Sequence, residues 1–187
     1  MDRRKQVLIK ALRDRDEHIR SAAAGALERL EIRLRLPAFE KLVESGDKIE
    51  KLRAIYAVSG LRGERVLNLL VKATKDPVED VRAAALRSLG RIGDKRVLPA
   101  VVESLKDESP VVVRVAIEAL ANLWDQRLLG PLMQMLRSKD HGVVERALDV
   151  IGRSGDKRAE NAMIYFAVKG NRTMRMLAIK ALGVMET

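Results

Sequence analysis

The chain repeats itself every 31 residues. Leucines stand at Leu36, Leu67, Leu98 and Leu129, and arginines at Arg65, Arg96, Arg127 and Arg158. The turn ahead of the last three arginines recurs as Gly93-Asp94-Lys95-Arg96, Trp124-Asp125-Gln126-Arg127 and Gly155-Asp156-Lys157-Arg158. A fixed period of this size marks a solenoid, in which one supersecondary unit stacks on the next. Divided on it, the 187 residues form one domain of six repeats, roughly 1–31, 32–62, 63–93, 94–124, 125–155 and 156–187.

The clearest unit runs from Asp76 to Asp107. Asp76 is an N-cap residue and Pro77 suits the first helical position, where its missing N–H would be orphaned anyway. Val81, Ala84, Ala85, Ser88, Leu89 and Ile92 then fall on one face of a helix. Gly93 ends that helix and Asp94 caps the next, which carries Val97, Leu98, Val101, Val102 and Leu105 on one side. Each unit is therefore a helical hairpin. First helices are expected at roughly 3–13, 35–45, 64–75, 95–106, 126–138 and 157–168. Second helices are expected at 16–30, 48–61, 77–92, 110–123, 142–153 and 171–184. No alternating strand pattern of useful length occurs, so the fold class is all-α.

Composition narrows the function classes. Apolar residues reach 47 % but aromatics only 3 %, so the core is aliphatic, as helix-on-helix packing favours. With no cysteine there is no disulfide framework or thiol chemistry. No apolar run is long enough to span a bilayer, and no secretory stretch follows Met1; a cytoplasmic protein is expected. Net charge is +10, which fits an anionic partner: an acidic protein, nucleic acid or a membrane surface. The excess is uneven, since residues 51–100 carry 11 Lys/Arg against 5 Asp/Glu while residues 101–160 carry 9 against 10. The positive charge is thus no continuous property of the surface.

At Asp-Pro-Val-Glu-Asp-Val-Arg-Ala-Ala-Ala-Leu-Arg-Ser-Leu-Gly-Arg-Ile-Gly-Asp (76–94) the chain resembles a HEAT-like repeat of the short phycobilisome-lyase type. That pattern is an Asp-containing turn, Val-Arg, an alanine-rich helix, then Leu-Gly-x-Ile-Gly-Asp. The match is partial in the first repeat (Ile19 to Ala24) and the sixth (Ala181-Leu182-Gly183). The fourth keeps Val113-Arg114 but has Leu123-Trp124-Asp125 for Ile-Gly-Asp. The fifth keeps Ile151 to Asp156 with Arg146 out of register, and the second diverges most. The resemblance implies a right-handed α-solenoid of six HEAT-like hairpins, with second helices lining the concave face. It implies an interaction module more than an enzyme; fold alone does not fix activity.

Three constellations could carry function. Arg29, Arg62, Arg91 and Arg153, with Asn122, fall near the ends of second helices, and Arg87 stands one turn before Arg91. Stacking would set them in a row roughly 10 Å apart, able to grip acidic side chains or phosphates. The plainer reading is a last-turn cation complementing the helix dipole. Next, the Arg65, Arg96, Arg127 and Arg158 ladder alternates with Asp94, Asp125 and Asp156, which reads as structural salt bridging between adjacent repeats. Finally, apart from Met1, every methionine lies late in the chain. Met133 and Met163 sit on the apolar stripe, whereas Met174, Met176 and Met185 mark the last hairpin as a docking end, with a second copy as one candidate, because solenoid ends need a polar outer face.

Lone residues add little. Tyr56, aligned with Ala23 and Ala85, is either a contact residue or a packing adjustment. Trp124, in place of the turn glycine, is either a binding anchor or half-buried against the next repeat. His18 and His141 are isolated and form no metal site. No catalytic set, phosphate loop or cofactor motif stands out. HEAT-like DNA glycosylases surround an acidic residue with several aromatics, and only Trp124-Asp125 echoes that. The expectation is a non-catalytic scaffold without cofactor or metal, binding a protein, most simply an acidic one, on its concave face. Nucleic-acid binding is the first alternative, weakened by Glu118 and Asp149 at positions equivalent to Arg87 and by the lack of interleaved aromatics. A lyase-like or chaperone-like enzyme-associated subunit is the other.

Overall fold

Helices begin in this chain where a short polar side chain precedes an apolar stripe. In the computed structural model, which describes residues 3–185, Asp16 opens α2 (Glu17–Leu34) by accepting from the amides of His18 and Ile19. Asp47 opens α4 (Lys48–Val58) through a capping box with Glu50. Ser109 opens α8 (Pro110–Asn122), Asp140 opens α10 (His141–Ser154) and Asn171 opens α12 (Arg172–Leu182) in the same way. Each such cap satisfies amides that no helical carbonyl can reach. The five caps stand near the 31-residue repeat, and every second helix but one starts on them.

The exception is α6 (Glu79–Ile92), which begins two residues later than Pro77. The Asp76 carboxylate accepts from the Val78 amide at 2.9 Å and closes a turn ahead of the helix. The Arg82 guanidinium donates to the carbonyls of Asp76 and Pro77 at 3.0 and 3.1 Å, so these carbonyls serve a side chain and not the first helical turn. α2 also runs past its expected end at 30 to Leu34. Arg35 then closes α2 and opens the next helix without an intervening loop.

First helices are α1 (Arg3–Ala11), α3 (Leu36–Ser45), α5 (Glu64–Ala73), α7 (Leu98–Glu103), α9 (Leu129–Met135) and α11 (Glu160–Lys169). The last three follow 3-10 turns at Lys95–Val97, Gln126–Leu128 and Lys157–Ala159. Gly93 and Gly155 end α6 and α10 with φ of 72° and 67°, the left-handed conformation only glycine adopts without strain. Where Trp124 replaces that glycine, α8 closes on Leu123 at φ −106° instead. The described residues are all helix, turn and loop, as the sequence predicts.

The chain forms two compact units that meet within α5, one ending at Leu69 and one beginning at Leu70. In the first unit α1 packs on α2, α3 packs on α4, and α2 touches both α3 and α4. Its core holds Leu36, Val43, Ala54, Ile55 and Val58, while α1 buries nothing fully. In the second unit α6, α8, α10 and α12 pack in succession as one layer, with α7, α9 and α11 backing α8, α10 and α12. Leu86, Leu89, Ile117, Leu120, Leu132, Leu148, Ile151 and Met163 are fully buried there. The periodic leucines Leu36, Leu67, Leu98 and Leu129 are all core residues.

Small residues set the spacing of the second-helix layer. A Cβ on Gly90 would lie 2.8 Å from the Cα of Ala119, and one on Gly152 would lie 2.7 Å from the Cβ of Ala181. The α6–α8 and α10–α12 crossings therefore bring backbones together as only glycine against alanine permits.

Charged links tie neighbouring repeats. Arg82 makes a bidentate pair with Asp107, Nε to Oδ2 at 2.7 Å and Nη2 to Oδ1 at 2.9 Å, with both side chains 10 % exposed. Arg114 pairs with Asp140 at 3.0 Å and Arg146 with Glu118 at 2.7 Å. In the first unit Lys5 pairs with Glu31 and Arg65 with Glu40. Of the arginine ladder, Arg65 thus bridges adjacent repeats as expected, whereas the other three members behave differently. Arg96, Arg127 and Arg158 each clamp the aspartate two residues earlier, Asp94, Asp125 and Asp156, inside their own turn. The aspartate caps the 3-10 turn, so its free oxygen lies over the same turn and the nearest guanidinium takes it. Arg158 also reaches the preceding repeat, donating to the Gln126 carbonyl at 3.3 Å.

Candidate functional site

The N-caps fix the register of the second helices, and register decides which side chains the layer shows to solvent. Counting from the caps, Arg87 of α6, Glu118 of α8, Asp149 of α10 and Lys180 of α12 are equivalent, and one turn later come Arg91, Asn122, Arg153 and Val184. Seven of these eight are exposed, Val184 at 64 %; only Asp149 is intermediate, alongside the groove described below. The stripe is not uniformly basic. Arg153 donates to Asp149 at 2.6 Å, and Glu118 is held by Arg146. Arg87 and Arg91 make no ion pair with any described residue, so their charge is free for a ligand.

Between α10 and α12 the stripe opens into a shallow groove of about 190 Å³. Leu148, Leu177, Ala181 and Val184 give it an apolar floor, with Asp149, Arg153 and Lys180 on its rim. An apolar floor with a charged rim is the usual anatomy of a protein-binding patch.

In the first unit Arg29 is exposed near the end of α2, and it is the residue equivalent to Arg91 there. Arg62 does not share that register. It lies in the loop after α4, two residues past the equivalent place, which Gly60 occupies. Tyr56 is likewise re-registered. Counted from Asp47 it matches Arg87 and not Ala85, and it is 52 % exposed whereas Ala23 and Ala85 are buried. Tyr56 is therefore a surface ring, not an oversized residue in a small slot. Trp124 is half-buried at its turn.

The methionines divide. Met174 is core, 6 % exposed, and its amide is the one Asn171 caps. Met176 is 49 % exposed and Met185 half-buried. Around Met176 the last hairpin also exposes Ile164, Tyr165, Val168, Ile179 and Val184, an apolar surface that the methionine count alone understated.

Electrostatics sharpen only the structural pairs. Asp125 is held down to about 2, chiefly by its hydrogen bonds from the Arg127 side chain and amide. Burial works to raise Asp107, but bonds from Arg82 and the Ser109 amide, with the Arg82 charge, bring it below the ordinary carboxylate value. Among the described residues no three His, Asp or Glu side chains gather as metal ligands, and no helix is long and apolar enough to cross a membrane. The Arg82–Asp107 link was not anticipated from sequence; its only trace is the Val-Arg of the repeat pattern with an aspartate 25 residues on.

Residues 35–121 match the family model described as HEAT repeats. No curated protein sequence matches the chain. Solved structures share its fold. A designed armadillo repeat protein in complex with a (KR)4 peptide matches at TM-score 0.60 and 18 % identity, over 99 % of this chain and 100 % of that one. Computationally designed armadillo repeat proteins for modular peptide recognition match at 0.58 and 18 %, over 97 % and 99 %. The complex of CpcE and CpcF of phycocyanin lyase from Nostoc sp. PCC7120 matches at 0.56 and 19 %, over 96 % of this chain and 76 % of that one.

Proposed function

We propose that this all-α chain, whose residues 35–121 match HEAT repeats, is a non-catalytic scaffold that binds an acidic protein segment on the exposed face of its second helices. Arg87 and Arg91 carry the reading: two neighbouring exposed guanidiniums without an ion-pair partner among the described residues, on the same layer as the α10–α12 groove. Guanidinium–carboxylate pairs are bidentate and directional, and the groove offers an apolar anchor site farther along the same layer, past α8. The HEAT-like resemblance, in which second helices line a concave face, supports the choice of this layer. Designed relatives of the fold that recognise peptides support the same use of the surface. Asn122, Arg153 and Trp124 would extend this surface in the second unit; Arg29, Tyr56 and Arg62 are candidate contacts of the first unit taken by itself.

Nucleic acid would require an uninterrupted cationic track, and Glu118 and Asp149 stand in it. The test is capture of partners from native lysate by the wild-type chain and by the Arg87→Glu/Arg91→Glu variant, at low and high salt, with and without nuclease. An acidic protein retained through nuclease and lost with the variant is the expected result. Capture indifferent to the variant removes the assignment of this face. Capture abolished by nuclease, with a steep salt dependence, replaces the protein partner by nucleic acid.

A further inference from the structure

In the second unit, Leu86 of α6, Ile117 of α8 and Leu148 of α10 occupy one register position, and all three are fully buried. Each sits on a helix against which the following second helix packs. The same position of α12 is Ile179, and it is 57 % exposed. Met176, on the same helix, and Ile164 on α11, are 49 % and 47 % exposed. This is a helix-docking surface, complete in its apolar residues and without a helix on it among the described residues; patches of this kind mark interaction sites.

Its charge says what sits there. From Asn161 to Met185 the sequence contains Lys169, Arg172, Arg175 and Lys180 and no carboxylate. Arg175 stands three periods after Arg82, the residue whose guanidinium is gripped by Asp107, an aspartate of the following repeat. Among the described residues Arg175 has no such carboxylate; its Nε donates to the Ala167 carbonyl at 3.2 Å. A second copy offers the wrong sign. Face to face it would set these four cations against themselves, and head to tail it would set them against α1, whose charged residues are all cations (Arg3, Arg4, Lys5 and Lys10), with Lys5 already held by Glu31. Like charges brought together in this way disfavour association.

We propose that the α11–α12 end face binds an acidic amphipathic helix of a partner protein. The partner's apolar stripe covers Ile164, Met176 and Ile179, and one of its carboxylates takes Arg175 as Asp107 takes Arg82. This site is separate from the Arg87–Arg91 face and stands or falls independently of it.

The test is a displayed library of two-helix hairpins with an apolar stripe and flanking positions drawn from Asp, Glu, Lys, Arg, Ser and Gln, sorted against the whole chain. Enrichment of Asp and Glu is expected. Binding should fall at least about tenfold for Ile179→Lys and for Arg175→Glu, recover for Arg175→Glu when the facing acid becomes lysine, and stay unchanged for Arg87→Glu/Arg91→Glu. Met176→Lys is the second variant should Ile179→Lys disturb the fold by circular dichroism. A sort that yields no binders, enriches Lys or Arg, or selects hairpins indifferent to Arg175 and Ile179 overturns the proposal. So does a concentration-dependent dimer in sedimentation that Ile179→Lys dissolves, since the occupant is then a second copy.

Discussion

Replacing Arg82 by alanine removes four hydrogen bonds at once: two to Asp107 and two to the carbonyls ahead of α6. It leaves an ionised carboxylate that is 10 % exposed with the Ser109 amide at 2.9 Å. Breaking one side of such a pair typically costs 3–5 kcal/mol; the remaining amide bond and edge exposure place Arg82→Ala near the lower end, about 3 kcal/mol. The pH dependence has a definite sign. The native Asp107 pKa is depressed, so the pair's contribution is full above the unfolded carboxylate value of about 3.9 and is lost as pH falls through the lower native value. The loss caused by Arg82→Ala should therefore be largest near neutrality and shrink in acid. The double variant Arg82→Met/Asp107→Leu, which removes both charges, should lie close to the wild type. Urea unfolding followed by far-ultraviolet circular dichroism and by Trp124 fluorescence measures all three. Two probes are needed because repeats can unfold separately, and Trp124, the sole tryptophan, sits half-buried in the same unit. A loss below about 1 kcal/mol at neutral pH, against the magnitude just cited, or a loss of equal size in acid, would refute the reasoning.

Other outcomes follow from the packing. Gly90→Ala should destabilise by roughly 1–3 kcal/mol, although alanine is the better helix former by about 1 kcal/mol, because its Cβ would meet Ala119 at 2.8–2.9 Å; a stabilised variant in the same urea assay counts against the close crossing. Leu98→Ala should cost roughly 2–5 kcal/mol as a core truncation, and a change under about 1 kcal/mol would mean that the 31-residue register is misplaced. By carboxylate NMR, Asp125 should titrate at about 2 and move up toward the ordinary range in Arg127→Ala; an unmoved value would show that the Arg127 side chain does not hold it down.

The hairpins were legible because their signals are local. Caps, turn glycines and apolar spacing each act within a turn of helix, and they place the twelve α-helices of the described residues to within a few residues. Errors arose where a distant group decided the outcome. Pro77 was displaced from α6 by Arg82, six residues on, taking the carbonyl of Asp76. Tyr56 was misread because alanine stripes were aligned in place of N-caps, and one slipped residue on a helix turns a side chain by about 100°. Arg62 was assigned to a helix end that α4 never reaches. The carboxylate that pairs with a long arginine is a property of how loops approach in space, so sequence could name Arg96 and Asp94 but sent their bond to the wrong repeat. The exposed stripe of the second helices is legible in part: Arg87 and Arg91 stand out in the sequence, while the apolar groove farther along the layer depends on the α10–α12 crossing and has no sequence signal of its own.

The Asp–Arg clamps at the head of the last three repeats close over a single turn, which bears on how the chain reaches its fold. A contact between residues two apart requires almost no loop closure, so these turns can be set before any neighbour arrives. Even the links between repeats span only 25 or 26 residues for Arg82–Asp107 and Arg114–Asp140. A topology this local has low contact order, the class that folds in microseconds to milliseconds. Growth can then start at whichever hairpin orders first and spread along the stack, so the order of assembly is set by local stability and not by a unique nucleus.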